Sequence, residues 1–182
     1  MDLALVPPRH HAAIGRLFKR LDPISGRRRG RPATFRIHEV VSRCVELLKE
    51  AISENAIAVT IQTDPGLPAH GYEQDLQAAL LNIIDNAVYW LSTVSSKRTI
   101  DIAASYDSKD VVVNVSNNGP TLGQDYIPRL FSAGFTLKAG GTGLGLAIAR
   151  EAMRGSKGDI AFDDSAVKTT FVRRMPAAPS GK

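Results

Sequence analysis

The sequence predicts an α+β two-layer sandwich, in which one mixed, mostly antiparallel sheet carries its helices on one face. Three observations point there. Helical and strand patterns interleave along the 182 residues without a regular βαβ alternation. Two alternating runs, TIDIAAS (99–105) and DVVVNVSN (110–117), are joined by the turn signal Asp107-Ser108-Lys109, as in a hairpin. A composition of 43% hydrophobic and 23% charged residues supplies one ordinary core, and the length suits one domain with an arm.

The elements follow in order. Residues 9–21 place Ile14, Leu17, Phe18 and Leu21 at helical spacing, and Asp22-Pro23 ends that helix because proline disfavours helix in the residue before it. SGRRRGRP (25–32) reads as a basic linker, either a solvated connector or a patch for an acidic partner. A short extended piece at 33–37 precedes a single helix over 38–55, with Val41, Val45, Leu48 and Ile52 on one face and Cys44 as a small buried hydrophobe beside it. IAVTIQTD (57–64) alternates as a strand does, and PGLP (65–68) is a turn. A long helix spans 72–95. After the hairpin comes a glycine-rich, loop-like stretch over 118–143, then a helix at 144–154. Strands at 159–164 and 169–174 close the fold before a disordered tail, AAPSGK. The organisation expected is a basic arm at 1–32, a folded domain at 33–176 and a tail at 177–182.

Charge and composition exclude several classes. Residues 1–36 hold nine basic and two acidic side chains, and the remainder holds fourteen basic and sixteen acidic. The folded part is thus faintly acidic, which argues against a nucleic-acid-binding face. No apolar run approaches the ~20 residues of a membrane span, and the opening MDLALVPP lacks the pattern of a secretory signal. The single Cys44 excludes an internal disulfide and a cysteine-based zinc site, so a reduced, cytoplasmic domain is expected.

Two segments carry chemistry. On the helix EQDLQAALLNIIDNAVYWL, Leu76, Leu80, Ile83, Ile84, Ala87 and Leu91 form a core-facing stripe, and Asp75, Asn82, Asn86 and Tyr89 form a second, polar one. Asparagine is a middling helix former, and its amide oxygen is a neutral hard ligand that suits Mg²⁺. A plain solvated face explains the stripe equally well. AGGTGLGLAIAR (139–150) runs a glycine-dense loop into a helix whose free N–H groups point back at it, the construction of a phosphate site. No Lys-Ser/Thr follows the glycines, so it is not a P-loop. SNNGPTLG (116–123) is either an ordinary Asn-Gly turn or a base-binding strand end, with Asn117 as acceptor and Gly119 letting the base approach.

Taken in order, LLNIIDNA, NNGPTLG, LFSAGFTLK and GGTGLGL resemble the N, G1, F and G2 boxes of the GHKL nucleotide-binding superfamily, most closely the catalytic ATP-binding domain of sensor histidine kinases. The resemblance covers about residues 33–176. It implies a Bergerat-type sandwich with a lid over ATP, and Mg²⁺ as the metal. Residue by residue it implies Asn86 as the metal-coordinating asparagine and Asn82 as its neighbour facing the phosphates. Tyr89 stands where many kinases have a phosphate-contacting Lys. Asn117 stands in place of the adenine-recognising Asp, Gly119 keeps the first G1 glycine, and Thr121 replaces the second. Phe131 and Phe135 match the F box, and Lys138 a lid lysine near the γ-phosphate. The G2 loop is Gly141, Thr142, Gly143, Leu144 and Gly145, with Thr169 near the adenine edge.

ATP-hydrolysing relatives place a Glu at the position of Asn82, and an amide cannot take a proton from water, so efficient hydrolysis is not expected. Transfer of the γ-phosphoryl group to an acceptor outside this segment, with a response regulator downstream, is the implied activity, and it rests chiefly on positioning. His11 and His38 lack the setting of a phosphoacceptor, and His38 is expected to cap its helix. A stand-alone kinase of the anti-sigma-factor type and a nucleotide-sensing module without transfer activity remain alternatives.

Overall fold

β5, Asp110–Asn117, is the strand about which the molecule is organised. Successive side chains alternate between its faces, so Val111, Val113 and Val115 point into the core while Val112, Asn114 and Ser116 lie on the opposite face. The computed structural model describes residues 31–164, 166 and 168–178. The expected arm helix at 9–21, most of the basic linker and the end of the tail lie outside the described residues.

Five strands form the main sheet in the order β2-β4-β5-β7-β6, with β2 at Ile57–Thr63, β4 at Arg98–Asp107, β6 at Asp159–Asp163 and β7 at Thr169–Pro176. Only β2 and β4 run parallel; the other pairs are antiparallel, as the hairpin signal implied. A second, two-stranded sheet pairs β1, Ala33–Arg36, with β3, Pro68–Gly71. β3 falls where the sequence shows only a turn: Leu67 N donates to Asp64 O (3.1 Å), and the chain extends from Pro68 onward. Ala177, expected to open a loose tail, bridges to Ala69 and donates to Lys109 O at 3.1 Å.

The helices cover one face of the main sheet. The expected helix at 38–55 is two helices, α1 at Ile37–Leu47 and α2 at Lys49–Glu54. They part at Leu48, whose N–H is shared between Cys44 O and Val45 O, both at 3.2 Å. The break turns Leu48 and Ile52 into the core while Leu47 stays in solvent. His38 does not cap α1. It bonds across to Thr63 Oγ1 at 2.6 Å and meets Ser42 one turn on, because it lies inside the helix rather than before it.

α3, Glu73–Ser92, is the central helix. Its core stripe is as expected, with Leu76, Leu80, Ile83, Ile84, Ala87 and Leu91 all buried. Each large side chain so buried contributes about 1.5–3 kcal/mol of apolar transfer, which anchors α3 against the sheet. α4, Gly145–Gly155, packs beside it. The two are tied at one end by Ser156 Oγ donating to Asp75 Oδ2 at 2.7 Å. Asp75 therefore does not belong with Asn86 and Tyr89: it is buried at the far end of α3 and serves the packing of α3 on α4.

Candidate functional site

α3 carries the site along its length. Asn82, Asp85, Asn86 and Tyr89 recur at i, i+3, i+4 and i+7, which places them on one face. Trp90 and Leu91, near the other end, meet Gly119, where a Cβ would lie 3.6–3.7 Å from their side chains. Eight residues separate Asn82 from Trp90, roughly 12 Å of helix axis. One helix thus joins the end of β5 to the glycine loop.

The strand end is set by sheet register. β5 ends at Asn117, which pairs with Thr169 at the start of β7. The Asn117 carboxamide is buried and engaged at both ends: Nδ2 donates to Thr169 O at 3.3 Å, and Oδ1 accepts from Gly119 N at 3.0 Å. A Cβ on Gly119 would lie 2.8 Å from Asn117 Oδ1, so the glycine is required first by the asparagine itself. Thr169 Oγ1 donates to Pro120 O at 3.2 Å and pins the loop that leaves β5.

The loop end is set by glycines. Gly134 N donates to Gly143 O at 3.0 Å and closes residues 134–143 into a compact ring. Gly143 has φ +67°, and a Cβ there would lie 2.4 Å from the Gly134 carbonyl carbon, so only glycine fits. Below the ring a Gln124–Arg129 3₁₀ turn leads to Phe131, which packs edge-on against Phe171 at 6.4 Å and lies under the Arg150 guanidinium. Phe135 stacks on Tyr126 and under Arg129 instead, outside the core.

α4 starts directly after the ring. Leu144 is its N-cap with no side-chain cap, which leaves the first N–H groups of α4 facing the loop with their positive dipole end. Thr142 and Leu144 are exposed. Gly145 packs on Asn82: a Cβ would lie 2.6 Å from Asn82 Oδ1. The Asn82 amide donates to Ala78 O at 2.9 Å, so this buried side chain is a fixed wedge between α3 and the start of α4.

Lys138 reaches from the loop to α3. Its ammonium is 3.3 Å from Asp85 Oδ2 and 4.7 Å from the centre of the Tyr89 ring, and Ala139 N donates to Tyr89 OH at 3.4 Å. Burial lowers the Lys138 pKa below the ordinary lysine range, against the opposing charge and hydrogen bond of Asp85. Asn86, between Asp85 and Ala87, is half-buried.

The structure therefore gathers Asn82, Asn86, Tyr89, Lys138, Gly141, Gly143 and Gly145 at one end, and Asn117, Gly119 and Thr169 at the other. Sequence reasoning missed Asp85, whose signal was its place at i+3 from Asn82. It also missed Thr136, whose Oγ1 accepts from Lys138 N at 3.1 Å, two residues away in the manner of a Ser/Thr turn.

A family described as histidine kinase-, DNA gyrase B- and HSP90-like ATPase matches residues 71–179. The chain is 28% identical over 176 residues to the sensory histidine kinase/phosphatase NtrB of Rhizobium leguminosarum, covering 89% of this chain and 46% of that protein. It is 25% identical over 144 residues to sporulation kinase B of Bacillus subtilis, covering 79% and 33%. It spans less than half the length of these relatives. Among solved structures, the catalytic domain of histidine kinase ThkA aligns with a TM-score of 0.72 at 25% identity, over 82% of this chain and all of that one. Full-length ShkA in complex with AMPPNP aligns at 0.70 and 23% identity, over 83% of this chain and 32% of that one.

Proposed function

The chain belongs to the histidine kinase-, DNA gyrase B- and HSP90-like ATPase family, and we propose that it is the Mg-ATP-binding catalytic domain of a kinase, handing the γ-phosphoryl group to an acceptor outside this segment. The observation that carries this reading is α3 itself, whose 82–89 face meets the ring at 134–143 and the open N-terminus of α4 while Trp90 and Leu91 meet Gly119 beside Asn117. Adenine would lie against Asn117 and Thr169, with its amino group donating to the free lone pair of Asn117 Oδ1. The phosphates would lie over Gly141, Thr142, Gly143, Leu144 and Gly145, where N–H groups and the α4 dipole favour anions.

Asn86 fits a magnesium ion: its carboxamide is half-exposed on the same face, makes no side-chain hydrogen bond among the described residues, and offers one neutral oxygen to an ion that keeps phosphate and water ligands. When bound, that ion would neutralise charge on the phosphate oxygens. Asn82 cannot serve as a base, because it is an amide fixed against Ala78 and Gly145. Slow hydrolysis is therefore expected, with transfer to a positioned nucleophile as the productive reaction: the acceptor bonds to the γ-phosphorus as ADP leaves.

The acceptor belongs to another segment of a longer chain or to another protein, and a response regulator is the downstream partner by analogy with kinase relatives. The ATP-binding unit is taken as residues 33–176, and a cytoplasmic location fits the single buried cysteine. No helix among the described residues is long and apolar enough to cross a membrane.

A second reading has one observation in its favour. Asn117 offers a neutral amide whose oxygen already serves Gly119, a weaker base acceptor than a carboxylate. A nucleotide-sensing module without transfer activity would be content with that. γ-Labelled ATP with Mg²⁺, with and without candidate acceptors, separates the two. Label appearing on an acceptor supports the kinase; saturable binding with no transfer to any partner supports the sensor.

A further inference from the structure

α3 has no Lys or Arg among its 20 residues, although one face of it lines the phosphate end of the site. The cation on that face comes from elsewhere. Lys138 reaches across from the loop and lies in a seat formed by Asp85 and Tyr89, with its side chain only 15% exposed and that of Asp85 17% exposed. Two nearby arginines are engaged differently: Arg129 lies over Phe135, and Arg150 is bound by Asp159 and covers Phe131.

Stability alone does not explain this seat. A lysine ordinarily keeps its ammonium in water, and fixing it gives up most of its rotamer freedom. One carboxylate at 3.3 Å and one aromatic face offset this only in part, and the depressed ammonium pKa agrees. Among the described residues the ammonium uses one of its three donors, on Asp85. Its backbone is held as well. Lys138 N donates to Thr136 Oγ1, and Gly141 N donates to Lys138 O at 3.0 Å in a turn where a Cβ on Gly141 would meet Thr136 Oγ1 at 2.6 Å.

We propose that Asp85 and Tyr89 are positioning residues that hold Lys138 against α3, so that its ammonium is in place for the terminal phosphate of a bound nucleoside triphosphate. The inference rests on the nucleotide-binding reading above and deepens it. Tyr89 serves through its ring as a platform, and Asp85 through its charge. Asp85 sits one residue from Asn86 and one turn from Asn82, and Lys138 itself belongs to the ring at 134–143, so the ammonium is held at the loop end of the site.

The experiment is a set of calorimetric titrations with Mg-ATP and Mg-ADP on the wild-type chain, D85N, Y89L, Y89F, K138M and the D85N/K138M double variant. K138M should lose roughly tenfold in ATP affinity and little in ADP affinity, as expected for one charged hydrogen bond to the γ-phosphate. D85N and Y89L should each lose part of that same ATP-over-ADP preference. Y89F, which keeps the ring, should recover it relative to Y89L, and D85N should add nothing in the K138M background. A readout free of nucleotide accompanies this: Lys138 should acylate more slowly than the exposed Lys97 in the wild type, and faster in D85N. The inference is overturned if D85N tightens ATP, which would make the seat a restraint, or if D85N lowers ATP and ADP affinity equally. A wild-type chain that binds ATP but shows an unchanged ratio in D85N and Y89L overturns the inference alone. A wild-type chain that binds neither nucleotide overturns the nucleotide-binding reading, and the inference with it.

Discussion

The two ends of the site are built by different means. At the proposed base end, Asn117 and Thr169 are fixed by register across β5 and β7, and the Asn117 amide bonds to the backbone of Thr169 and Gly119. At the proposed phosphate end, a ring of loop residues is closed by the Gly134–Gly143 bond and docked on α3 through Lys138 and Ala139. Strand register is cooperative and hard to shift, whereas a loop with few contacts opens at low cost. The base end should therefore tolerate a change of chemistry at one atom, while the phosphate end should fail on the addition of one carbon.

G143A should have the largest effect. Its Cβ would lie 2.4 Å from backbone that no rotamer can move, at φ +67°. ATP affinity should fall by at least roughly tenfold, given a few kcal/mol of strain, with the sheet intact by circular dichroism. Affinity within twofold of wild type would show that the ring does not close the phosphate end. G145A should come next. Its Cβ would press on Asn82 Oδ1, a side-chain atom that can yield, so about 1–3 kcal/mol of overpacking is expected in denaturant melts. N82A should relieve much of that cost when combined with it, and strict additivity would break the proposed contact.

N117D tests the base end and should act in two directions. A carboxylate is the stronger acceptor for an exocyclic amine, so ATP should bind more tightly by calorimetry. The bond from Nδ2 to Thr169 O is lost, however, at about 0.5–1.5 kcal/mol of stability. Unchanged or poorer ATP affinity would sever Asn117 from base recognition.

R150M should have the smallest effect. Burial alone would raise the Asp159 pKa, but hydrogen bonds from Arg150 and Ile160 N and the charges of Arg150 and Arg154 outweigh it and hold the carboxyl below its usual range. A depressed carboxylate pKa stabilises the fold above its unfolded pKa, and that contribution is lost as pH falls through the folded value. Both partners are partly exposed, so the contribution is under about 1 kcal/mol after screening. Acid melts of R150M should lose part of the wild-type decline on that limb, with little change at neutral pH.

The same contrast governs how much could be read from the chain. The sheet, the core stripe of α3 and the start of α4 were legible, because period-2 and period-3.6 patterns report burial directly. The glycine loop was legible as a cluster, but the partner that makes each glycine necessary was not, since Gly143 meets Gly134 and Gly145 meets Asn82 through tertiary contact. Asp75 looked like a member of the polar stripe until α4 delivered Ser156 to it across 81 residues. Asp85 was hidden for the complementary reason: its partner is contributed by a loop 53 residues on. β3 carries no alternating pattern over PAHG, and its pairing with β1 exists only because the chain returns there.

The most direct measurement is a titration of the ¹⁵N-labelled chain with Mg-ATP, followed by amide shifts. Changes should concentrate at residues 82–90, 117–119, 134–145 and 169, with the unlined face of β4 and β5 silent. No shifts at millimolar nucleotide, or shifts confined to α1 and β1, would contradict a nucleotide site along α3.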